Sequence, residues 1–482
     1  MGMSITKNLM YNLLLQIVNM VLPLVTVPYV SRILGTDGVG IYSYTYSITL
    51  YFIIVGTIGL SMYGIRQVAY TRDNKEDLSR TFWSILILRI ITTSLATVLY
   101  VVIFWNSQTY REIFMLQTIV IVAAMIDVSW LYMGLEDFKK TVTRNLVVKL
   151  IGVCLIFALI KDRSDLELYV LINVLMLLLG NLVMWLYLPK TVKRVSLSIK
   201  DITGHLVPTI QLFIPQIAIQ VYVVLDKSML GWLANVDEVG LYTQSEKLIK
   251  AGLALVTALG TVMMPRMSNI FVRGDKETMN RYLNTCLRGV AYVAVPMSVG
   301  IAGVSNEFVP WFLGSEFEAA TYLMMVLAPI TFFIAMSNVM GMQYLLPSNR
   351  INEFTVSVTA GAAVNLALNF MLIPSYKALG ACISTLVAEF SVTSIQFFFL
   401  KKDVDIKSYV QGLIKYIFAC VILFVCVRSI GRAMGVGVIT TLVQCVSGFV
   451  IYTLILKLLR ESVNDRMIKT IIDRSRKILH KV

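Results

Sequence analysis

The long charge-free runs decide what this chain can fold into. Between Lys7 and Arg32 lie 24 residues without a charge. Gly38 to Ile65 gives 28 more, Ala319 to Asn349 gives 31, Phe354 to Tyr376 gives 23, and Ala433 to Leu456 gives 24. About 20 mainly apolar residues in a helix cross the ~30 Å hydrocarbon core of a bilayer, and no soluble core hides so many such runs. Only 15% of the 482 residues are charged and 57% are hydrophobic, whereas an ordinary soluble domain carries about 25% charged residues. The chain therefore reads as an all-α polytopic membrane protein.

Apolar runs bounded by turn and charge signals place about fourteen transmembrane helices. The first seven lie near 9–30, 41–62, 81–104, 113–133, 146–160, 167–187 and 206–233. The second seven lie near 239–262, 283–304, 319–342, 354–374, 378–400, 411–430 and 437–459. The fifth span is short and needs Asn145 or Lys161 to reach the interface. The loops are brief, with no room for a separate soluble domain. The first run is too long for a signal-peptide core and reads as a retained span.

The formal charge of +14 would suggest a nucleic-acid partner in a soluble protein, but its distribution points to a membrane instead. With the N-terminus cytoplasmic, inner segments hold 28 of the 42 basic residues and outer loops hold seven. That is the positive-inside bias, and it puts both termini in the cytosol. Trp83, Trp130 and Trp185 fall near the inner interface and Trp105, Trp232 and Trp311 near the outer one, as an aromatic belt requires. The six cysteines read as small buried apolar residues, and the two histidines, His205 and His480, belong to no metal-ligand cluster.

A shift of 200 residues lays the first two spans on the seventh and eighth. Val39-Gly40-Ile41-Tyr42-Ser43 falls on Val239-Gly240-Leu241-Tyr242-Thr243. Gln16/Gln216, Val21/Val221, Asp37/Asp237 and Thr57/Thr257 are further identities. Six helices separate the copies, so both enter the membrane in the same direction, as in transporters built from two parallel halves. The expected organisation is an N-terminal lobe of six helices at 1–200 and a pseudo-symmetric second lobe at 201–405. Two added helices and a basic tail follow at 406–482.

The opening residues, with Pro23 and Pro28 in the first span, continue into Ser31-Arg32-Ile33-Leu34-Gly35 and Gly38-Val39-Gly40-Ile41-Tyr42. This pattern resembles the Wzx-type flippases of the multidrug/oligosaccharidyl-lipid/polysaccharide exporter superfamily. Gly134-Leu135-Glu136-Asp137-Phe138-Lys139, Leu225-Asp226-Lys227-Ser228-Met229-Leu230-Gly231 and Phe312-Leu313-Gly314-Ser315-Glu316-Phe317 fit the same family in the same order. The resemblance implies a bacterial cytoplasmic-membrane protein that is not an enzyme. Such a protein moves undecaprenyl-diphosphate-linked oligosaccharide repeat units to the outer leaflet by alternating access. A polymerase of the same pathway would then build capsule or O-antigen from them. No cofactor is implied beyond coupling to a proton or sodium gradient.

Ionisable groups at membrane depth are costly and face a cavity or a partner. A diphosphate-linked headgroup needs cationic donors, for which Arg supplies a bidentate fork and Lys a point charge. Arg89, Lys247 and Lys250 are the candidates for that task, with Arg32 and Lys227 at the outer rim. The structural alternatives are an Arg89–Asp127 pair between spans 3 and 4, and a Glu246–Lys250 pair at i,i+4. Glu389, alone in the uncharged stretch Ala378 to Leu400, is a candidate for carrying a coupling proton or for a structural hydrogen bond. Asp127, Glu246 and Asp226 are the other membrane carboxylates. The runner-up reading is a cation-coupled multidrug exporter of the same superfamily. A membrane polysaccharide polymerase or ligase comes third, because the outer loops near 105–112 and 305–318 hold little that is catalytic.

The basic bias sets a test of sidedness. Reporters fused after Ser79, Lys193 or Val482 should read as cytoplasmic, and those after Asn106 or Ser315 as external. An external Val482 fusion would overturn the even span count.

Overall fold

The computed structural model describes residues 5–261, 267, 269–271, 273, 275–467 and 469. Over these the chain is helix joined by short turns, with no strand among the described residues. Hydrocarbon offers the backbone no water, so a spanning segment must satisfy its own N–H and C=O groups.

The helices are α1 (Ile5–Thr57), α2 (Leu60–Thr71), α3 (Lys75–Phe104), α4 (Arg111–Met125), α5 (Ser129–Gly134), α6 (Phe138–Leu159) and α7 (Leu166–Trp185). The short α8 (Leu188–Thr191) and α9 (Ile199–Thr203) lead to α10 (Leu206–Leu233) and α11 (Val236–Thr261). After them come α12 (Lys276–Leu313), α13 (Ala320–Leu327), α14 (Ile330–Ser337), a π-helix over Asn338–Leu345, α15 (Ile351–Leu400), α16 (Ile406–Met434) and α17 (Val438–Leu458).

Ten helical stretches among the described residues are long and apolar enough to cross a membrane. Two of them each hold two expected spans. At 1.5 Å per residue the 53 residues of α1 would reach about 80 Å, far more than the ~30 Å core, and the helix breaks at Gly35 (φ 69°). The 50 residues of α15 break at Lys377 (φ 50°), and the chain folds back on itself there. Gln396 Nε2 donates to Ser357 Oγ at 3.1 Å, and a Cβ on Gly380 would lie 2.6 Å from the Leu372 carbonyl. With α10 and α11 as the seventh and eighth, every one of the fourteen expected spans falls on helix. The fifth is longer than expected. It starts at Phe138 and runs 22 residues, enough to cross without help from Asn145 or Lys161.

The chain forms two compact units, Met1–Gly240 and Leu241–Val482. Within the first, the basic loops meet at one end, where Arg72 pairs with Glu136 at 3.0 Å and Arg80 with Asp201 at 3.4 Å. Ser198 hydrogen bonds hold the Asp201 carboxyl below its ordinary range. Trp130 is not a belt residue. It is buried, stacked on Phe82 and pressed against Gly64, whose missing Cβ leaves room for the indole. The cysteines also differ from the expectation: Cys382 and Cys420 are buried, but Cys154 and Cys445 are exposed.

Within the second unit, α12 holds α16, α17 and the residues after them through two buried polar clusters. Arg288 pairs with Glu461 at 2.9 Å and donates to Ser462 and Ser408, and Tyr292 donates to Asn464. Arg288 is therefore turned inward, onto α16 and the residues after α17. Glu461 is 1% exposed and also accepts the Val463 and Asn464 N–H groups. Nineteen residues along the same helix, about 28 Å at the α-helical rise, Glu307 accepts from Arg428 at 3.1 and 3.2 Å and from Gln444 at 3.0 Å. Ala291, Ala294 and Val295 lie between the two clusters and share a core with Cys420 and Leu423.

Removing one member of a buried ion pair strands the other, which costs about 3–5 kcal/mol. Glu461→Ala should therefore lower the thermal unfolding midpoint in detergent far more than Arg288→Met combined with Glu461→Met. Equal losses would show that the pair is not coupled.

Candidate functional site

The fourth span is interrupted between α4 and α5 at residues 126–128. A broken helix in hydrocarbon exposes carbonyls that its own ladder no longer satisfies, and side chains of α3, α5 and α7 answer here. Arg89 Nε donates to the Ala124 carbonyl at 2.8 Å, and Asn181 Nδ2 donates to that of Ala123 at 2.7 Å. Trp185 Nε1 donates to the Ile126 carbonyl at 2.8 Å and Trp130 Nε1 to that of Asp127 at 3.1 Å. Arg144 in turn orients Asn181 through its amide oxygen at 2.5 Å.

Arg89 is 3% exposed. Besides the carbonyl it reaches Ser61 Oγ at 2.9 Å and Asp127 Oδ2 at 3.6 Å. Asp127 also accepts the Ser129 N–H at 2.9 Å. The structure thus brings Arg89 and Asp127 together, and the guanidinium's Nε–H is spent on a carbonyl of the break.

Beside this break the first unit has a neutral polar core. Gln117 Nε2 donates to Thr45 Oγ1 at 2.8 Å, Thr49 Oγ1 donates to Gln117 Oε1 at 2.7 Å, and the Tyr100 hydroxyl lies 2.9 Å from that of Thr49. All four residues are buried. No charge marks them in the sequence, where the available signal is an amide among hydroxyls inside apolar spans. Asp226 on α10 is buried, Lys227 beside it is half-buried, and Arg32 is exposed at the end of the first half of α1.

In the second unit the start of α11 is polar and buried from Thr243 to Glu246. Tyr242 OH meets Thr385 Oγ1 at 3.1 Å. Lys250 Nζ lies 2.5 Å from Glu246 Oε1, and both Lys247 and Lys250 are exposed on this unit. The i,i+4 pair foreseen as the structural alternative is therefore formed. Glu389 is half-buried in the second half of α15.

A family described as polysaccharide biosynthesis protein matches residues 5–271. A protein of Escherichia coli (strain K12) that carries the name of an O-antigen transporter is 24% identical over 413 residues, covering 83% of this chain and 98% of its own. Among solved structures, lipid II flippase MurJ in an inward closed conformation aligns with a TM-score of 0.73 at 13% identity, over 94% of this chain and 98% of that one. An inward-facing multidrug resistance MATE family transporter of the MOP superfamily aligns at 0.63 and 11% identity, over 81% and 96%. At such identities these two show a shared fold.

The carbonyl contacts predict how Arg89 fails. Arg89→Ala leaves the Ala124 carbonyl and the Asp127 carboxylate without that donor, and an unmet buried group costs about 1–3 kcal/mol. Membrane abundance should fall, and Arg89→Lys should recover part of it. Normal abundance of Arg89→Ala with transport abolished would instead give Arg89 to the substrate.

Proposed function

The chain belongs to the polysaccharide biosynthesis protein family, and on that premise we propose that it carries a lipid-linked glycan between the leaflets of its membrane. The finer reading is a bacterial cytoplasmic-membrane flippase, with both termini in the cytosol and undecaprenyl-diphosphate-linked repeat units as cargo. Its product would supply a polymerase that makes capsule or O-antigen. The similarity to a protein named for O-antigen transport supports this reading. Alternating access would move the lobe at 1–200 against that at 201–405, with 406–482 carried by the second.

One observation weighs most: Lys247 and Lys250 are exposed on a helix that enters the membrane. Ionisable side chains at that depth face a water-filled cavity or the bundle interior rather than lipid. The two amines are three residues apart and so share one face of α11. Glu246, buried beneath them, fixes Lys250 at 2.5 Å. In this reading the lysines receive the diphosphate, Arg32 and Lys227 hold it at the outer rim, and Glu389 or Asp226 takes up a coupling cation. Arg89 serves mainly to hold the broken span. A cation-coupled drug exporter would not need this cationic face.

Lys247→Ala with Lys250→Ala should reduce polymer export by about 10- to 100-fold, the equivalent of one charged hydrogen bond. Lipid-linked repeat units should then accumulate in the inner leaflet. Adding Glu246→Gln removes the carboxylate that Lys250 neutralises. If the triple variant regains export, the lysines serve only Glu246 and the substrate role is lost. If it stays inactive at normal abundance, the lysines act on the cargo.

A further inference from the structure

The two copies of the repeated motif touch each other. Gly40 abuts the Val236 carbonyl so closely that a Cβ there would lie 2.6 Å from its carbon and 3.1 Å from the Gly240 nitrogen. Gly240 abuts the Thr36 carbonyl in the same way, at 3.0 Å from its carbon and 3.2 Å from the Gly40 nitrogen. Positions 36 and 236 are repeat equivalents, and so are 40 and 240. The contact is therefore isologous, residue i on j and j on i, as only two elements about a two-fold axis can make.

From this contact a seam runs along α10 and the second half of α1. Thr36 Oγ1 donates to Asp237 Oδ1 at 2.6 Å. Gly231 lies under the Tyr44 ring, with a Cβ there 2.6 Å from Tyr44 Cγ, and Tyr51 OH meets Ser228 Oγ at 2.7 Å. Residues 36 to 51 span about 22 Å at the α-helical rise, most of a ~30 Å core. Glycines let the backbones approach, so the seam is built on surface fit, and these two side-chain hydrogen bonds cross it. The Thr36–Asp237 bond has no mirror, because Val236 cannot donate to Asp37. Asp37 instead lies 4.0 Å from Arg163.

We propose that the Gly40/Gly240 contact is the closure of the face opposite the basic loops, a gate that shuts only because neither position carries a Cβ. The inference rests on the alternating-access reading. A rocking pair of repeats must part or meet along their common axis, and this is the point where the two copies of one motif meet. Surface fit and hydrogen bonds of this kind separate at modest cost.

The test places cysteines at Thr36 and Asp237 in the full chain, with the six native cysteines replaced. Oxidation of membrane vesicles should link them and abolish export, and a reductant should restore it. A linked protein that exports as well as the reduced one would make the seam a static packing contact, and failure to link would remove the contact altogether. Gly240→Ala in a Thr36→Cys background should raise labelling by a membrane-impermeant maleimide several-fold, with abundance measured alongside. Unchanged labelling would overturn the steric gate. Linking and labelling need no cargo. If the cysteine-replaced parent lacks glycan export, the functional reading fails, and if export survives the link, the gate fails.

Discussion

The requirement that every backbone polar group find a partner without water governs this molecule more than any single side chain. It makes each span a helix, and it makes every departure from helix expensive. The interruption at 126–128 is the plainest case. Four carbonyls around it accept from Arg89 on α3, Asn181 and Trp185 on α7, and Trp130 on the span's own α5. The break and its donors form one object. A buried arginine that reads as a ligand for anions is here first a donor to the backbone, and that duty fixes where Ser61 and Asp127 must sit.

The same requirement explains what could be read from residues alone. Hydrocarbon tolerates few charges, so the gaps between charges mark the spans, and each expected span lies on helix. The repeat stands in the sequence itself, as a valine-glycine pair with flanking aspartate and tyrosine. Partners distant in sequence were not legible. Nothing near Arg288 announces Glu461, 173 residues away. Trp130 is a second case, since depth in the membrane says nothing about whether a helix turns its indole toward lipid or toward Gly64. An amide leaves the charge pattern unchanged, so Gln117 is not marked by it, although its two polar atoms tie span 4 to Thr45 and Thr49 of span 2, and Thr49 in turn meets Tyr100 of span 3.

The pairing of Glu246 with Lys250 shows where a charge pattern stops informing. Spacing of i,i+4 predicts that the two meet, and they do. It does not say whether the pair is an end in itself. A buried carboxylate that holds one amine leaves Lys247 on the same face with a different environment, and the two lysines need not act alike. Glu246 then serves as a positioning group whichever molecule the lysines meet.

Set side by side, the two copies of the repeat differ in a way that follows the membrane normal. At the end of the spans they are alike: Asp37 and Asp237, Val39 and Val239, Gly40 and Gly240, and Tyr42 and Tyr242 occupy equivalent positions. Within a turn they diverge. Thr45 and Thr49 join the neutral network around Gln117, while their neighbours Tyr46, Ser47 and Leu50 correspond in the repeat to Glu246, Lys247 and Lys250. A two-fold contact constrains both partners at once, because a Cβ added to either glycine meets the other copy's backbone. Residues deeper in the span answer to one copy only, so charge can enter there without disturbing its counterpart. The symmetric end is thus suited to closing, and the asymmetric interior to chemistry that only one half performs.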